Sequence, residues 1–400
     1  MMTSAYLCDA IRTPFGREGG RLSSLRADDL AALPLLALIE RHPGLDWEQV
    51  CDVMLGCAHQ VGEELNDIAR TAALLADLPV SVPGVTLNRQ CGSGLEAMGT
   101  AARAIKSGEI SMALAGGIES ASRLALLQGG SYARHAIETA QHLASPHRYF
   151  IHPLMKIQYG DETAIASADR LARELNVERD AQDAYTWASH QKARAAQQAG
   201  WMKDELTPVA LAQKNGDPLI VAEDELNAPA SLQALAARAP LLSDATITAG
   251  NTSHAGDGAV AALLACEKAA HKYSLLPRAR VLGMAVTGVA PGVAGIGAAA
   301  AARKLLVQIG LNLEQMDVIE LHEAFAVHAL VVLRDWGLRD DDARVNPQGG
   351  TLAYGDPIGA SGARLVLSAM QSLHRIKGRY ALCAMCVGSG QGIALAMERV

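Results

Sequence analysis

The chain has 400 residues and a formal net charge of −7, and half of its residues are hydrophobic while only 4% are aromatic. This length predicts two or three domains. The many small apolar residues are typical of an α/β protein whose helices pack closely on a sheet. The acidic balance, without a dense block of Lys or Arg, argues against nucleic acid or an anionic membrane as the main partner.

The N-terminus and the cysteines indicate where the protein works. The apolar run LAALPLLALI is too short to span a membrane, and the N-terminus lacks the features of a signal peptide. Seven cysteines, an odd number, predict a reducing, cytoplasmic location. Cys383 and Cys386 have the spacing of a redox pair, but they lie in an apolar, strand-like run, whereas such pairs usually begin a helix.

Strand and helix patterns alternate along most of the chain. The strand-like runs are MALAGG, RARVLGMAV and DVIELH, and each precedes a helical pattern. This alternation predicts an α/β fold with largely parallel strands. Long polar helices between residues 121 and 244 instead indicate an inserted, mainly helical segment.

Two parts of the chain share one pattern, in which a Gly-rich turn leads through a helix and a strand to a second Gly-rich turn. They begin at CGSGLEAMGTAARAIKSG and at GASGARLVLSAMQSLHRIKG. If these are duplicated halves, their Gly-rich turns meet near a pseudo-two-fold axis. The match is one of pattern, not of identity.

Cys91 occupies the first of these turns, in VTLNRQCGSGLEAM. Backbone N–H groups at a helix start favour a thiolate, so we expect a lowered thiol pKa and a covalent nucleophile. The alternative is a small buried cysteine at a packed turn. His322 in LHEAFA and Asp356 in GDPIGASG also lie where α/β proteins build their sites. A hydrogen-bonded turn residue and a helix N-cap are equally good interpretations of these two.

Six segments of the chain, taken together, resemble the signature segments of the thiolases. They are, in order, NRQCGSGLEAMGTAARAIKSGE, AGGIES, TAGNTSHAGDGA, HEAFA, GDPIGASGARL and CAMCVGSGQGIA. The resemblance covers essentially the whole chain. It is closest to the 3-oxoadipyl-CoA and 3-ketoacyl-CoA thiolases.

This resemblance implies an α/β thiolase fold with a five-layered αβαβα core of two duplicated halves. The implied domains are an N-terminal half (1–120 plus 245–275), a loop domain over the active site (121–244) and a C-terminal half (276–400). It also implies a homodimer or homotetramer. The implied reaction is cleavage of a 3-ketoacyl-CoA by CoA, or the reverse Claisen condensation, with CoA as a substrate and no cofactor or metal.

The resemblance also assigns roles to particular residues. Cys91 would be the acylated nucleophile, and Cys386 would move the proton at Cα of acetyl-CoA. Backbone N–H groups of Cys91 and Gly388 would form the oxyanion hole, and Gly390 belongs to the same substrate-binding turn. Ser253 would contact the pantetheine arm of CoA.

The chain departs from the family at Asp356, where the segment GHP carries the catalytic histidine. A carboxylate is a weak base near pH 7, and its charge opposes a nearby thiolate. We hypothesise that His322 takes over as hydrogen-bond donor or base and that Asp356 orients it. His254, where the family usually has a small residue, is a further change near the pocket.

Three functions therefore remain open at this point. The first is an acyl-CoA acyltransferase of the thiolase class. The second uses Cys91 for another acyl-transfer or Claisen-type step. The third is an impaired homologue that binds acyl-CoA or a partner without turnover.

Overall fold

The computed structural model describes residues 3–129, 152–226 and 228–400. Most of the segment that departs from the family between Leu124 and Tyr149 therefore lies outside the described residues. The strands are β1 (Ala5–Arg12), β2 (Gly16–Arg17), β3 (Val53–Gly56), β4 (Gly84–Leu87), β5 (Met112–Ser120), β6 (Val209–Leu211), β7 (Leu219–Val221), β8 (Gly256–Cys266), β9 (Ala279–Gly288), β10 (Val318–Leu321), β11 (Tyr380–Val387) and β12 (Gln391–Arg399). The helices are α1 (Ala27–Arg41), α2 (Ile68–Leu75), α3 (Ser93–Ser107), α4 (Ala121–Gly129), α5 (Pro153–Tyr159), α6 (Ala164–Glu174), α7 (Arg179–Gln198), α8 (Leu232–Ala236), α9 (Glu267–Lys272), α10 (Gly297–Ile309), α11 (Ala326–Asp335), α12 (Thr351–Tyr354) and α13 (Ile358–Ile376).

The main sheet has the strand order β10-β11-β12-β9-β1-β8-β5-β3-β4, and β2 pairs with β8. Only β3 with β4, β3 with β5 and β10 with β11 are parallel among its described strands. The prediction of largely parallel strands is therefore wrong. The strand that ends each half, β8 or β12, returns antiparallel to its neighbours. For β12 the cause is local, because the short loop 388–390 joins it to β11 as a hairpin.

Three separate apolar clusters show how the layers are stacked. Along β8, Val260, Ala262 and Leu264 face a central cluster that contains α3 and α13, while residues between them face a cluster that contains α1 and α2. This alternation is the ordinary two-residue period of a strand. The C-terminal strands likewise separate the central cluster from a third one, which contains α10 and α11. The N-terminal and C-terminal parts of the main sheet join only through two residue pairs of β1 and β9, and each part forms its own layer. The layers are thus helix, sheet, helix, sheet and helix, which confirms the predicted five-layered fold.

The central layer brings the two repeated units together. A Cβ on Gly94 of α3 would lie 2.6 Å from the carbonyl oxygen of Gly359, and one on Gly362 of α13 would lie 2.4 Å from the backbone nitrogen of Leu95. Only glycine permits this approach of the two backbones. The Gly-rich turns that precede α3 and α13 therefore lie side by side, as the repeat predicted.

A buried ionic cluster attaches the inserted segment to the core. Arg12 of β1 donates to Glu205 at 2.9 Å and to both oxygens of Asp224, at 2.6 and 2.8 Å. Its guanidinium also lies 5.9 Å from the ring centroid of Tyr354, two residues before Asp356. The part of the chain that contains Glu205 and Asp224 is thus fixed to β1 by groups that are expensive to leave unpaired.

One helical stretch of the described chain, Pro291–Ile309, is long and apolar enough to span a membrane by length and composition alone. Half of it is buried inside the protein. It contains α10, whose Ala298, Ala302 and Leu305 pack into the third apolar cluster. A helix that covers a sheet in this way passes the same test as a membrane span.

Glu320, two residues before His322, should make stability fall as pH rises. Its carboxylate is buried, neither oxygen has a hydrogen-bond partner among the described residues, and burial raises its pKa from 4.5 to about 8. Between pH 4.5 and about 8, Glu320 is ionised in the unfolded chain but stays protonated in the folded one. The free energy of unfolding therefore falls as pH rises through this range. We expect Glu320→Gln to raise the melting temperature at about pH 8.5 much more than at about pH 5. An equal gain at both pH values would contradict this.

Candidate active site

Cys91 lies on the tight turn between β4 and α3. The strand ends at Leu87, and α3 begins at Ser93 with Gly92 as its N-cap. Gln90, immediately before the cysteine, has a φ of 49°, a left-handed conformation that is uncommon for a residue with a side chain. Sharp strand-to-helix turns of this kind present nucleophiles in other α/β enzymes. We predicted that Cys91 opens the helix. In the structure it stands two residues before the first helical residue, Ser93.

The hairpin between β11 and β12 lies against the sulfur of Cys91. Its loop consists of Gly388, Ser389 and Gly390, and Gly390 has a φ of 81° that closes the turn. The thiol of Cys91 donates to the carbonyl oxygen of Cys386 at 3.4 Å. The N–H groups of Gly388 and of Cys91 itself also act on the sulfur. These are the two donors that the family resemblance assigns to the oxyanion hole.

The thiol of Cys91 is protonated at rest. Burial, followed by the nearby carboxylate of Asp356, raises its pKa to about 12, and the N–H group of Gly388 opposes this only in part. Our expectation of a lowered pKa is therefore wrong. It considered the helix end but not desolvation, which is the larger cause, and the opposing charge of Asp356 that the sequence indicated acts in the same direction. Cys91 must give up a proton during its attack.

The charge of Asp356 can be tested through the reactivity of Cys91. Asp356→Asn removes a negative charge next to the thiol, so the pKa of Cys91 should fall and alkylation by iodoacetamide at about pH 8 should become faster. Thiolysis should become slower at the same time, because His322 loses its ionic partner. The rate of alkylation as a function of pH and the steady-state rate of thiolysis are measured for the wild type and the variant. Slower alkylation in the variant would contradict the electrostatic interpretation.

Cys386 is the second thiol at this place. It is buried, and its Sγ donates to the carbonyl oxygen of Gly295 at 2.8 Å. Burial raises its pKa to about 12, although the N–H groups of Ala298 and Gly297, at the start of α10, favour the thiolate. Cys386 is therefore also a protonated thiol at rest, which suits a group that donates a proton.

The structure excludes a redox pair of Cys383 and Cys386. Both are free thiols. Cys383 packs into the central apolar cluster, whereas Cys386 packs into the third cluster, on the other side of the sheet. Residues three apart on a strand point to opposite faces. Their spacing is thus a consequence of two separate packing positions.

His322 and Asp356 form a buried pair. Nε2 of His322 lies 2.9 Å from Oδ2 of Asp356, and Ser361 donates to Oδ1 at 2.5 Å. The backbone holds both residues in place, since the N–H of His322 donates to Ala384 and that of Asp356 donates to His254, at 3.0 and 2.9 Å. The contact that we hypothesised between these two side chains is therefore present.

The pair leaves one imidazole nitrogen free. Nδ1 of His322 is buried and has no hydrogen-bond partner among the described residues. Burial opposes the ionisation of Asp356, but the charge and hydrogen bond of His322, together with Ser361, lower the pKa of this carboxyl below its usual value. Asp356 is thus a carboxylate that can stabilise an imidazolium at His322. Nδ1 is thus available to a partner that binds in the site.

Ser253 and His254 lie at the edge of the same site. Ser253 donates through its backbone N–H and its hydroxyl to the carbonyl oxygen of Ala324, at 3.0 and 3.1 Å. Its hydroxyl is therefore occupied within the protein in this structure. Nε2 of His254 lies 2.9 Å from where a Cβ on Gly355 would stand, so the ring packs on the turn that carries Asp356.

Sequence reasoning missed Glu323 as a structural residue of the site. Its buried carboxylate accepts hydrogen bonds from Tyr185 and Ser189, both at 2.9 Å, and from Asn346 at 2.6 Å. It thereby ties α7 of the inserted segment to the loop of His322. The signal available was its place beside His322 in HEAF, but its partners lie far away in the sequence.

One group of side chains in the described chain has ligand atoms close enough to hold a metal ion. Cys57, Glu64 and Glu119 offer atoms that lie within 4.8 Å of one another, and all three are buried. The protein itself satisfies the Glu119 carboxylate, because Ala58 and His59 donate backbone N–H groups to it at 3.0 Å. Both oxygens of Glu119 are therefore already engaged within the protein.

Comparisons with known proteins show the family of the chain. The family described as "Thiolase, N-terminal domain" matches residues 5–268, and "Thiolase, C-terminal domain" matches residues 275–399. A beta-ketoadipyl-CoA thiolase of Pseudomonas putida is 50% identical over 400 residues, which cover 100% of both chains. The 3-oxoadipyl-CoA/3-oxo-5,6-dehydrosuberyl-CoA thiolase of Escherichia coli (strain K12) is 47% identical over 401 residues, again with 100% of both chains covered.

A solved structure extends the agreement to the fold. The acetyl-CoA acetyltransferase of Bacillus anthracis superposes with a TM-score of 0.87 at 31% identity, over 100% of this chain and 99% of that one. These proteins give no support to a homologue that binds without turnover. The chain belongs to the thiolase family and is an acyl-CoA acyltransferase that uses CoA as a substrate.

Proposed function

We propose that this enzyme cleaves 3-oxoadipyl-CoA, or a similar 3-oxo dicarboxylic acyl-CoA, with CoA to give acetyl-CoA and a shortened acyl-CoA. Relatives with that printed activity, at 47% and 50% identity along the whole chain, support the substrate class. One observation carries the mechanism. The sulfur of Cys91 lies 3.4 Å from the backbone carbonyl oxygen of Cys386, next to the Asp356–His322 pair.

In the first half-reaction, Cys91 attacks the 3-oxo carbon of the substrate. Its proton passes to Nδ1 of His322, and the Asp356 carboxylate stabilises the imidazolium that results. The N–H groups of Cys91 and Gly388 receive the charge that develops on the former carbonyl oxygen. An acyl thioester on Cys91 forms as the carbon–carbon bond breaks.

The broken bond leaves the enolate of acetyl-CoA. The same Nδ1–H of His322 donates a hydrogen bond to its thioester oxygen, and the thiol of Cys386 protonates its carbon. Acetyl-CoA then departs.

In the second half-reaction, CoA enters and its thiol gives a proton to the Cys386 thiolate. The CoA sulfur attacks the acyl group, and Cys91 leaves and takes its proton back from His322. Both cysteines and the histidine return to their starting states, so protons and charges balance over the cycle. We assign Ser253 to the pantetheine arm of CoA, which requires its hydroxyl to turn away from Ala324.

Intact-protein mass spectrometry tests this function. The pure enzyme is mixed with 3-oxoadipyl-CoA or acetoacetyl-CoA, with and without free CoA, and the CoA products are quantified in the same tube. We expect an acyl adduct that peptide mapping places on Cys91, together with acetyl-CoA. An adduct without acetyl-CoA would mean another acyl-transfer step, and no adduct with any substrate would overturn the proposal.

We also propose that the protein is a homodimer or homotetramer. Strand β4 lies at the end of the main sheet and leads directly into the Cys91 turn. Exposed apolar side chains lie near it, on α2 and in the following loop, namely Leu74, Leu75 and Val80. Surfaces of this kind are typical of contacts between subunits. Light scattering of the purified protein should give twice or four times the mass of one chain.

The domain limits and the location remain part of the same proposal. The family match changes from the N-terminal to the C-terminal domain between residues 268 and 275, close to the predicted start of the C-terminal half at 276. All seven cysteines are free thiols, which suits a reducing, cytoplasmic location.

A further inference from the structure

Glu119 holds the start of α13 from the opposite half of the molecule. Its Oε2 accepts hydrogen bonds from the backbone N–H groups of Gly359, at 2.9 Å, and of Ala58, at 3.0 Å. Its Oε1 lies 3.0 Å from the backbone nitrogen and 3.0 Å from Nδ1 of His59. Glu119 belongs to β5 and is buried, whereas Gly359 is the second residue of α13.

This contact replaces an ordinary helix cap. The first N–H groups of a helix lack partners within it, and a side chain at the N-cap usually accepts from one of them. The N-cap of α13 is Pro357, which provides no side-chain acceptor. The carboxylate of Glu119 supplies that acceptor from another element, and its negative charge suits the positive end of the helix.

Close packing around Gly359 leaves the first turn of α13 no room to move towards β5. A Cβ on this glycine would stand 2.1 Å from the carbonyl oxygen of Ile118 and 2.7 Å from Oε2 of Glu119. The backbone of α13 therefore rests directly on the end of β5. If Glu119 no longer held it, the turn could move only away from β5.

A movement of this turn would displace half of the catalytic pair. Asp356 precedes Gly359 by three residues, and its Oδ1 is held by Ser361 of the same turn, at 2.5 Å. His322 follows β10, a different element, so it would stay behind. The 2.9 Å contact between Nε2 of His322 and Oδ2 of Asp356 depends on both elements keeping their places.

We infer that Glu119 is a positioning residue for the Asp356–His322 pair, an inference that rests on the proposed role of that pair. The carboxylate of one half of the duplicated core thus sets the position of the catalytic carboxylate in the other half. Glu119 acts through Gly359 and does not touch the reacting atoms.

Steady-state kinetics of Glu119→Ala test this inference. We expect kcat to fall about 10- to 100-fold, the usual result of a small misplacement of catalytic groups. The KM for CoA and for the acyl-CoA should stay within about twofold, since neither substrate is bound by this residue. Glu119→Gln retains an acceptor oxygen for Gly359, so it should recover at least about tenfold of the lost kcat.

The matched control is His59→Ala, which removes a partner of the other carboxylate oxygen and leaves Gly359 alone. It should keep kcat within about twofold of the wild type. Melting temperatures are measured for all variants. Wild-type kcat in Glu119→Ala would overturn the inference, and so would losses in all three variants that simply follow their melting temperatures.

His322→Ala, assayed beside them, separates this inference from the proposed function. If it loses activity while Glu119→Ala keeps kcat, only the positioning role is wrong. If it keeps activity, the role of the pair is wrong and the positioning role falls with it.

Discussion

Replacement of His322 by alanine is expected to abolish the acylation of Cys91. Asp356 is already a carboxylate and cannot usefully accept a proton from a thiol whose pKa is about 12. Without His322, the site loses its base and one hydrogen-bond donor together. Each of these functions is usually worth about 100- to 1000-fold or more, so the acylation rate should fall by at least about 1000-fold.

Quenched-flow mass spectrometry with acetyl-CoA measures this step directly, because it counts acetyl groups on Cys91 before any carbon–carbon chemistry. The alanine variant leaves a buried carboxylate without its partner, which can cost about 3–5 kcal/mol in folding stability. His322→Asn is therefore made as well, since asparagine retains an amide near Asp356 but cannot act as a base. Both variants should fail to form the adduct.

A double variant makes the prediction stricter. His322→Asn combined with Asp356→His moves the histidine to the position at which the segment GHP of the family carries it. It should acylate Cys91 at least about tenfold faster than His322→Asn alone. Acylation at the wild-type rate in either single His322 variant, or no recovery in the double variant, would contradict the assignment of the lost base to position 322.

The resemblance to the thiolases implied the five layers, and it implied that Cys91, Cys386, His322 and Asp356 belong to one site. The repeated Gly-rich pattern predicted that the turns before α3 and α13 meet, and glycines at the contact between the two helices allow it. The alternation of strand and helix patterns alone predicted largely parallel strands, which is wrong.

The sequence could not predict which of the opposing effects on the pKa of Cys91 would be larger. The helix end favours a thiolate at Cys91, yet desolvation and Asp356 win, and neither can be read from VTLNRQCGSG. The positioning contact of Glu119 was invisible for another reason. It joins residues that are 240 positions apart, and AGGIES carries no mark of a partner in GDPIGASG. The direction of β8 depended in the same way on a return across the fold, whereas that of β12 follows from the short loop 388–390.

Replacement of Cys386 by alanine is expected to separate the two kinds of chemistry that the proposed mechanism combines. Transfer of an acetyl group from acetyl-CoA to Cys91 needs no proton at Cα. The leaving CoA thiolate can take its proton from solvent in place of Cys386, so the acetyl adduct should still form, although more slowly. Protonation of the enolate does need Cys386, and thiolysis of a 3-ketoacyl-CoA should fall by about 100- to 10,000-fold. This outcome differs from that of His322→Ala, which should remove both reactions.

The decisive measurement is exchange of the methyl protons of acetyl-CoA with deuterated solvent. The wild-type enzyme should catalyse this exchange, and Cys386→Ala should lose it while its acetyl adduct persists. Cys383→Ala is the matched control, since it deletes the same thiol from the opposite face of the same strand. It should keep both exchange and thiolysis within about twofold. Complete loss of the acetyl adduct in Cys386→Ala would mean that CoA cannot leave without this cysteine, and the separation of the two kinds of chemistry would fail. The structure provides the thiol of Cys386, held 2.8 Å from the carbonyl oxygen of Gly295, as the proton donor. Retained exchange in Cys386→Ala would contradict this assignment and would mean that another group moves the proton.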